Sequence, residues 1–343
     1  MALCSAAVNS SRYLVNRAVH LAPGRAGLKP KILFCVPFYG YSGGSYAVLS
    51  TADLLCAAFD VSFLTKPTNV MNRYVSTRVR MVSDIADRYD YCIVEGGADI
   101  GAVGDLKRRG TRIIMTMHGA PPTKDGTKNH GYSDEQIAAM MQLADSAQYI
   151  SDVQLPFFEN FPALHRRKIS NFVLPVQKRR RSGAAGVVCD TTLAHKNADA
   201  AIRAAQLSKA SAIEVWGNHN GKHSTARVHW NGFCRDKQQI YDSFDVLVHM
   251  SELENQPLVI LEALSAGVPC VLAPLPTYQF LRSLDGVFFA AADDPAAVAG
   301  AIDRALDCPL PVRQGLEKFW RDNHSPAAIQ AKWVEYLADL RKS

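Results

Sequence analysis

Residues 242–274 read DSFDVLVHMSELENQPLVILEALSAGVPCVLAP, and this stretch decides the fold. DVLVHM is a short apolar run that stops at Ser251, as a buried strand would. SELEN is a short polar loop. The apolar run LVILEALSAG has the length of a helix and closes at Gly267, a residue suited to a helix end. Asn255 or Gln256 is placed to cap this helix. Pro257 fits its first position, where a missing N–H costs nothing. A second apolar strand, VPCVL, follows at once. The unit sets a helix N-terminus, with free backbone N–H groups, at the carboxyl end of a parallel strand, an arrangement that can bind phosphate. Glu254 lies in the loop and Glu262 lies two turns into the helix.

The same alternation extends outward in both directions. KILFCVPF, from Lys31, reads as a buried strand that runs into a glycine turn, YGYSGGS. A helix is expected over 46–58, a strand over 61–65, a helix over 73–88 and a strand over 91–94. A helix over 100–109 and a strand over 112–117 come next, then a polar loop over 119–135 and strands over 147–151 and 169–174. LPVQKRRRSGAAG (174–186) reads as a linker. The pattern then restarts with strands at 186–190, 212–217, 227–230, 245–250 and 268–273. Helices are expected at 197–209, 236–242, 257–266, 295–307 and 326–340. This is the signature of an α/β fold with parallel sheets. The expected division is an extension (1–30), a first Rossmann-like domain (31–175), a linker (176–186), a second Rossmann-like domain (187–322) and a closing helix (323–343).

Size and composition agree with this. The chain has 343 residues, 48% of them hydrophobic, which excludes a mostly disordered protein and fits two domains. Its net charge of +6 is unevenly spread. Residues 1–181 hold 23 Lys and Arg against 14 Asp and Glu, whereas residues 182–343 hold 15 against 18. The eight cysteines form no CxxC and mostly lie in apolar runs, as buried thiols in a reducing compartment do. No run of 18 uncharged apolar residues suggests a transmembrane helix. The first 30 residues contain Arg12, Arg17 and Arg25, with no acid and no continuous apolar core, so they match a secretory signal poorly.

The segment Glu254-NQPLVIL-Glu262 resembles the Glu-x7-Glu motif of family 4-like retaining glycosyltransferases (glycosyl transferases group 1), which have the GT-B fold. The flanks SFDVLVHMS and LEALSAGVPCVLA resemble that family's flanks too, and the likeness covers most of residues 31–340. It implies two Rossmann-like domains facing across a cleft, with a C-terminal helix returning to the N-terminal domain. By position, Glu254 would contact the donor sugar and Glu262 the ribose of the nucleotide. The N–H groups after Glu254, at Asn255, Gln256 and Leu258, would face the donor. Pro257 removes one donor where the family often has glycine.

Further stations follow from the resemblance. Lys196 would grip the diphosphate, but the family's partner arginine falls on Thr191; Arg235 and Lys237 are candidates to compensate. Gly43 and Gly44 would let backbone N–H groups approach the donor. Thr116-Met117-His118 matches a Thr-x-His station, so His118 would face the donor sugar. Trp216 with Gly217, and Gly232 in Asn231-Gly232-Phe233, would border the base. Tyr41 and Glu95 are the weaker candidates for the acceptor. Trp320 and Trp333 are expected to be packing anchors. His219, His223 and His229 lie in a polar, glycine-containing stretch without acidic ligands, so no metal is expected there.

The implied reaction is sugar transfer with retention from a nucleotide diphosphate sugar, a co-substrate, and no cofactor is expected. The acceptor would be a glycan, a lipid-linked acceptor or a polysaccharide. The basic first half adds an expectation of peripheral contact with an anionic membrane and a cytoplasmic location at its inner face. Nucleic acid is not expected, because no aromatic-interleaved basic stripe occurs. The alternative is a catalytically weak or inactive GT-B-fold binding or scaffold protein, with Thr191 in place of arginine as its support.

Overall fold

The computed structural model describes residues 29–36, 42–66, 68–95, 97–119 and 133–342. Residues 1–28, Tyr41 and most of the polar segment after His118 lie outside the described residues. Two parallel sheets organise the chain.

The first sheet contains β1 (Lys31–Cys35), β2 (Asp60–Leu64), β3 (Arg80–Val82), β4 (Tyr91–Val94), β5 (Arg112–Met117), β6 (Ser146–Tyr149) and β7 (His165–Lys168), in the order β3-β2-β1-β4-β5-β6-β7. Its residues explain its double cover. Along β1, Ile32 and Phe34 join one apolar cluster, whereas Leu33 and Cys35 join another on the opposite face. Helices α1 (Gly43–Leu55), α2 (Ile100–Arg108) and α3 (Asp134–Leu143) connect the strands. The order reverses between β1 and β4, so the carboxyl ends of these strands open a crevice.

The second sheet contains β8 (Ala185–Val188), β9 (Ile213–Trp216), β10 (Val228–Gly232), β11 (Val246–His249), β12 (Cys270–Leu272) and β13 (Val287–Phe289), in the order β10-β9-β8-β11-β12-β13. Here the reversal lies between β8 and β11. Val246 and Val248 face one cluster and Leu247 the other. The helices of this half are α4 (Ala198–Leu207), α5 (Lys237–Asp242), α6 (Leu258–Ser265), α7 (Pro295–Leu306) and α8 (Leu310–His324). The chain passes between the sheets at Phe172, which packs in the first core, and Val173, which packs in the second.

The last helix, α9 (Pro326–Lys342), returns to the first sheet, as the resemblance implies. Its Ile329, Trp333, Tyr336 and Leu337 enter the core under β1 and β4, and the Tyr91 hydroxyl donates to the Leu337 carbonyl at 2.7 Å. Trp320 on α8 is buried in the second core.

Several elements differ from the expectations. Residues 73–88 are not a helix. They hold the end of a 3-10 turn (Val70–Tyr74) and edge strand β3, where Arg80 pairs with Asp87 at 2.6 Å. Tyr74, Val75 and Val79 pack singly against the first core, with no helical stripe. The strand expected at 169–174 lies earlier, in the polar HRRK of β7, a sheet edge that tolerates charge. Helix α1 begins at Gly43, so Gly43 and Gly44 form its first turn rather than a preceding loop. Ser42 caps it, its Oγ accepting from Ser45 N at 3.2 Å while its own N–H donates to Ser45 Oγ at 2.7 Å. The basic run after Gln177 is not a solvated tether throughout. Lys178 is half-buried, pairs with Asp245 at 3.0 Å and donates to the Phe244 carbonyl at 2.7 Å.

Candidate active site

The loop between β11 and α6 carries the site's charge. Pro257 stands at the N-cap and Leu258 is the first helical residue; neither Asn255 nor Gln256 caps the helix. Their side chains reach the other half of the molecule. Asn255 Nδ2 donates to the carbonyls of His118 (3.2 Å) and Gly119 (3.1 Å). Gln256 Oε1 accepts from Asn171 N at 2.6 Å. Thr277 Oγ1 donates to the Asn255 carbonyl. The first N–H groups of α6, which have no partner within the helix, lie directly after this anchored loop.

Glu254 is nearly buried, and its Oε1 meets Lys196 Nζ at 2.5 Å and His249 Nε2 at 3.1 Å. Burial opposes its charge, but the hydrogen bonds and positive charge of His249 and Lys196 outweigh it and hold the carboxyl at about 2. Glu254 is therefore a carboxylate at neutral pH. Lys196 ends a 3-10 turn (Ala194–Lys196) that Asn197 closes in the left-handed region, φ 50°. The His195 carbonyl accepts from Glu252 N (2.8 Å) and Ser251 Oγ (3.0 Å), which fixes this turn against the Glu254 loop. His249 ends β11. Its place at a strand's carboxyl end is the signal in the sequence that points to it.

Glu262, on α6, is 3% exposed. It pairs with Lys237 at 2.9 Å and accepts from the Tyr241 hydroxyl at 2.9 Å. Burial and then the Glu262 charge push the Tyr241 hydroxyl's pKa well up. The same two causes raise that of Tyr46 on α1, which places Tyr46 within the field of Glu262 from the opposite half. Sequence reasoning missed both tyrosines, because they lie in helices whose apolar patterns absorb them.

Across the cleft, His118 follows β5 and its Nδ1 lies 3.1 Å from Glu95 Oε1, at the end of β4. The first turn of α1 abuts it: a Cβ on Gly44 would stand 3.6 Å from His118 Cβ. Gly43 has open space at that position. The structure thus brings together Glu254, Lys196, Asn255, His118, Glu95 and Gly44.

The remaining candidates serve the rim. Thr191 Oγ1 donates to the Asn218 carbonyl at 2.9 Å, so this hydroxyl braces a turn and adds no charge where an arginine was expected. Trp216 points into the second core and its Nε1 donates to Ser243 Oγ at 2.9 Å; only its backbone remains for a ligand. Gly217 has φ 126° and a Cβ there would overlap the Cys189 carbonyl, whereas Gly232, φ 73°, faces open space. Arg235 NH2 donates to the Tyr74 hydroxyl at 3.0 Å and stacks on its ring, bridging the halves rather than reaching Lys196. His219 lies against Trp230, ring centroids 5.5 Å apart, and no group of three metal-ligating side chains occurs among the described residues.

Residues 185–308 match the family described as Glycosyl transferases group 1. Over about nine-tenths of its length the chain is similar in fold to several solved structures. Anabaena HepE in complex with UDP superposes with a TM-score of 0.72 at 15% identity, over 90% of this chain and 100% of that one. Sucrose-phosphate synthase from Thermosynechococcus elongatus gives 0.69 at 13% identity, over 92% and 100%. The GtfA/B complex gives 0.68 at 11% identity, over 92% and 100%. No curated protein matches the sequence. The two parallel sheets have the GT-B architecture. The matched segment, residues 185–308 in the second half, contains both Glu254 and Glu262.

Proposed function

We propose that the protein is a retaining, family 4-like glycosyltransferase that moves a sugar from a nucleotide diphosphate sugar to a glycan, lipid-linked or polysaccharide acceptor. The observation that carries this reading is the cluster of the Glu254 carboxylate with Lys196 and His249 beside the α6 N-terminus, facing His118 across the cleft. Lys196 and the first α6 N–H groups neutralise the leaving diphosphate. Glu262 accepts from the ribose hydroxyls, exchanging its contact with Lys237 for them. Glu254, held as a carboxylate, accepts from sugar hydroxyls and stabilises the oxocarbenium-like centre; it has no proton to give. The bond from the anomeric carbon to the diphosphate breaks as the acceptor oxygen bonds to that carbon on the same face. The acceptor proton passes to the departing phosphate oxygen. His118, oriented by Glu95, positions the sugar, and the contacts of Asn255 keep the halves closed against water.

HepE holds UDP or UDP-glucose in its structures, so uridine donors are the first class to test. The basic first half supports an anionic acceptor or membrane surface on the cytoplasmic side. No helix among the described residues is long and apolar enough to cross a membrane. One observation favours a second reading, a weakly catalytic binding protein: Thr191 is committed to Asn218 and Arg235 to Tyr74, so neither supplies a second cation beside Lys196. Thermal melts over a panel of nucleotide sugars, with Glu262→Ala as control, test the first reading. Stabilisation by one diphosphate sugar that disappears in the variant is expected. No shift with any nucleotide overturns it. Donor binding without any donor hydrolysis selects the second reading.

A further inference from the structure

A cavity of about 320 Å³ opens beside Gln256 and excludes Glu254, Glu262, Lys196 and His118. Its walls come from both halves: the segment after β6 with Lys168, the 3-10 turn Pro276–Leu281, α8, and Lys332 of α9. Its charge is uneven. Lys168 pairs with Asp152 at 2.6 Å, both side chains being partly exposed. Lys332 is half-buried and has no acidic partner among the described residues. Burial and then the neighbouring Lys168 lower its pKa, so this ammonium lies in an uncompensated field.

The wall from α8 has a different character. His324 is 3% exposed, and its Nδ1–H donates to the Asn171 carbonyl at 3.2 Å, which leaves Nε2 as an acceptor. Burial holds this imidazole at about 4, neutral at pH 7. Phe280 and Phe319 flank it, with ring centroids 5.7 and 5.8 Å from its own. The cavity therefore offers two ammonium groups against one carboxylate, together with the His324 imidazole set between aromatic rings. A compact ligand that meets both carries an oxyanion and a hydroxyl on a short body.

We propose that this cavity binds a phosphomonoester of a small polyol, its phosphate on Lys332 and Lys168 and a hydroxyl on His324 Nε2. Because the walls come from both halves, such a ligand joins them, and the donor reaction proposed above does not require it. Calorimetric titration of the whole protein with glycerol 3-phosphate, at constant ionic strength and with and without UDP, tests this. Saturable binding that persists with UDP present is expected, with none for glycerol. Lys332→Gln should weaken it about tenfold, the loss of one charged hydrogen bond, and Lys332→Arg should largely restore it. The response to UDP alone should be unchanged in both variants, which separates this site from the donor site. Absence of binding, binding abolished by UDP, or equal binding in Lys332→Gln overturns the proposal.

Discussion

Asn255, in the loop before α6, donates its side-chain amide to the backbone carbonyl of His118 at 3.2 Å, so the loop bearing Glu254 is tied directly to the strand end bearing His118. A second bond from the same nitrogen reaches Gly119, and Thr277 holds the Asn255 carbonyl from behind. One amide thus links the two halves of the site, beside the Gln256–Asn171 and Arg235–Tyr74 contacts that join the halves elsewhere. Asn255→Ala removes both bonds; the Gly119 carbonyl keeps Gln154 Nε2 at 3.0 Å, but the His118 carbonyl loses its side-chain donor, at a cost of about 1–3 kcal/mol. The expected result is a lower melting temperature with the fold intact, and donor turnover reduced about tenfold or more through misplacement. Melts and donor hydrolysis on the same preparation check this, and an unchanged rate refutes the positioning role.

The two glutamates should separate in kinetics. Glu254 faces Lys196 and His249, whereas Glu262 faces Lys237 and Tyr241. Glu254→Gln keeps the shape but removes a negative charge from the reaction centre. Turnover should fall about 100- to 1000-fold, with nucleotide affinity nearly kept. Glu262→Gln should instead weaken nucleotide binding about tenfold to a hundredfold. Titration with the nucleotide and steady-state rates measure both, and a reversed pattern contradicts the assignment.

Much of this was legible because the strands announce themselves. KILFC, RIIMTM and VLVH are short, apolar and buried on both faces, and the strand–helix spacing leaves few topologies open. Helix α8 was hidden for a physical reason. Its buried positions are Arg313, Leu316, Trp320 and His324, a narrow stripe that is half polar. Arg313 is buried only because the Cys308 and Asp245 carbonyls accept its protons at 3.2 Å, a long-range arrangement that no local pattern reveals. The same holds at the site. Glu254 and Glu262 stand out through spacing, but their partners His249, Tyr241 and Lys237 are chosen by tertiary packing. Asn255 and Gln256 looked like helix caps, and the opposite half claimed them instead.

Gly217 and Gly232 make a matched pair at the rim. Both hold positive φ, 126° and 73°. A methyl at residue 217 would overlap the Cys189 carbonyl, whereas one at residue 232 meets nothing within 4 Å. Gly232→Ala should cost only the backbone strain of about 1–2 kcal/mol. Gly217→Ala must also move the β8 end, where Cys189 N donates to the Trp216 carbonyl at 3.0 Å, and so shifts the turn that leads to Lys196. Denaturant melts should rank the loss Gly217→Ala well above Gly232→Ala. Equal losses would show that the β8 turn yields freely.

His324 sets an acid limit to stability. Burial lowers its pKa from 6.5 to about 4 in the folded protein, despite the Asn171 carbonyl that favours its charged form. In the unfolded chain the imidazole takes up its proton near pH 6.5. Between these values the unfolded state binds more protons, so stability is complete above pH 6.5 and falls as pH drops toward 4. The loss attributable to this group is on the order of 3 kcal/mol. Glu254 acts in a lower window: its folded value of about 2 lies below its ordinary value of 4.5, so its contribution is lost only as pH falls through that range. Urea melts at pH 7, 5.5 and 4.5 should therefore show a decline in the wild type that His324→Gln flattens and Glu254→Gln leaves in place. A decline of equal size in His324→Gln would assign the sensitivity to another group.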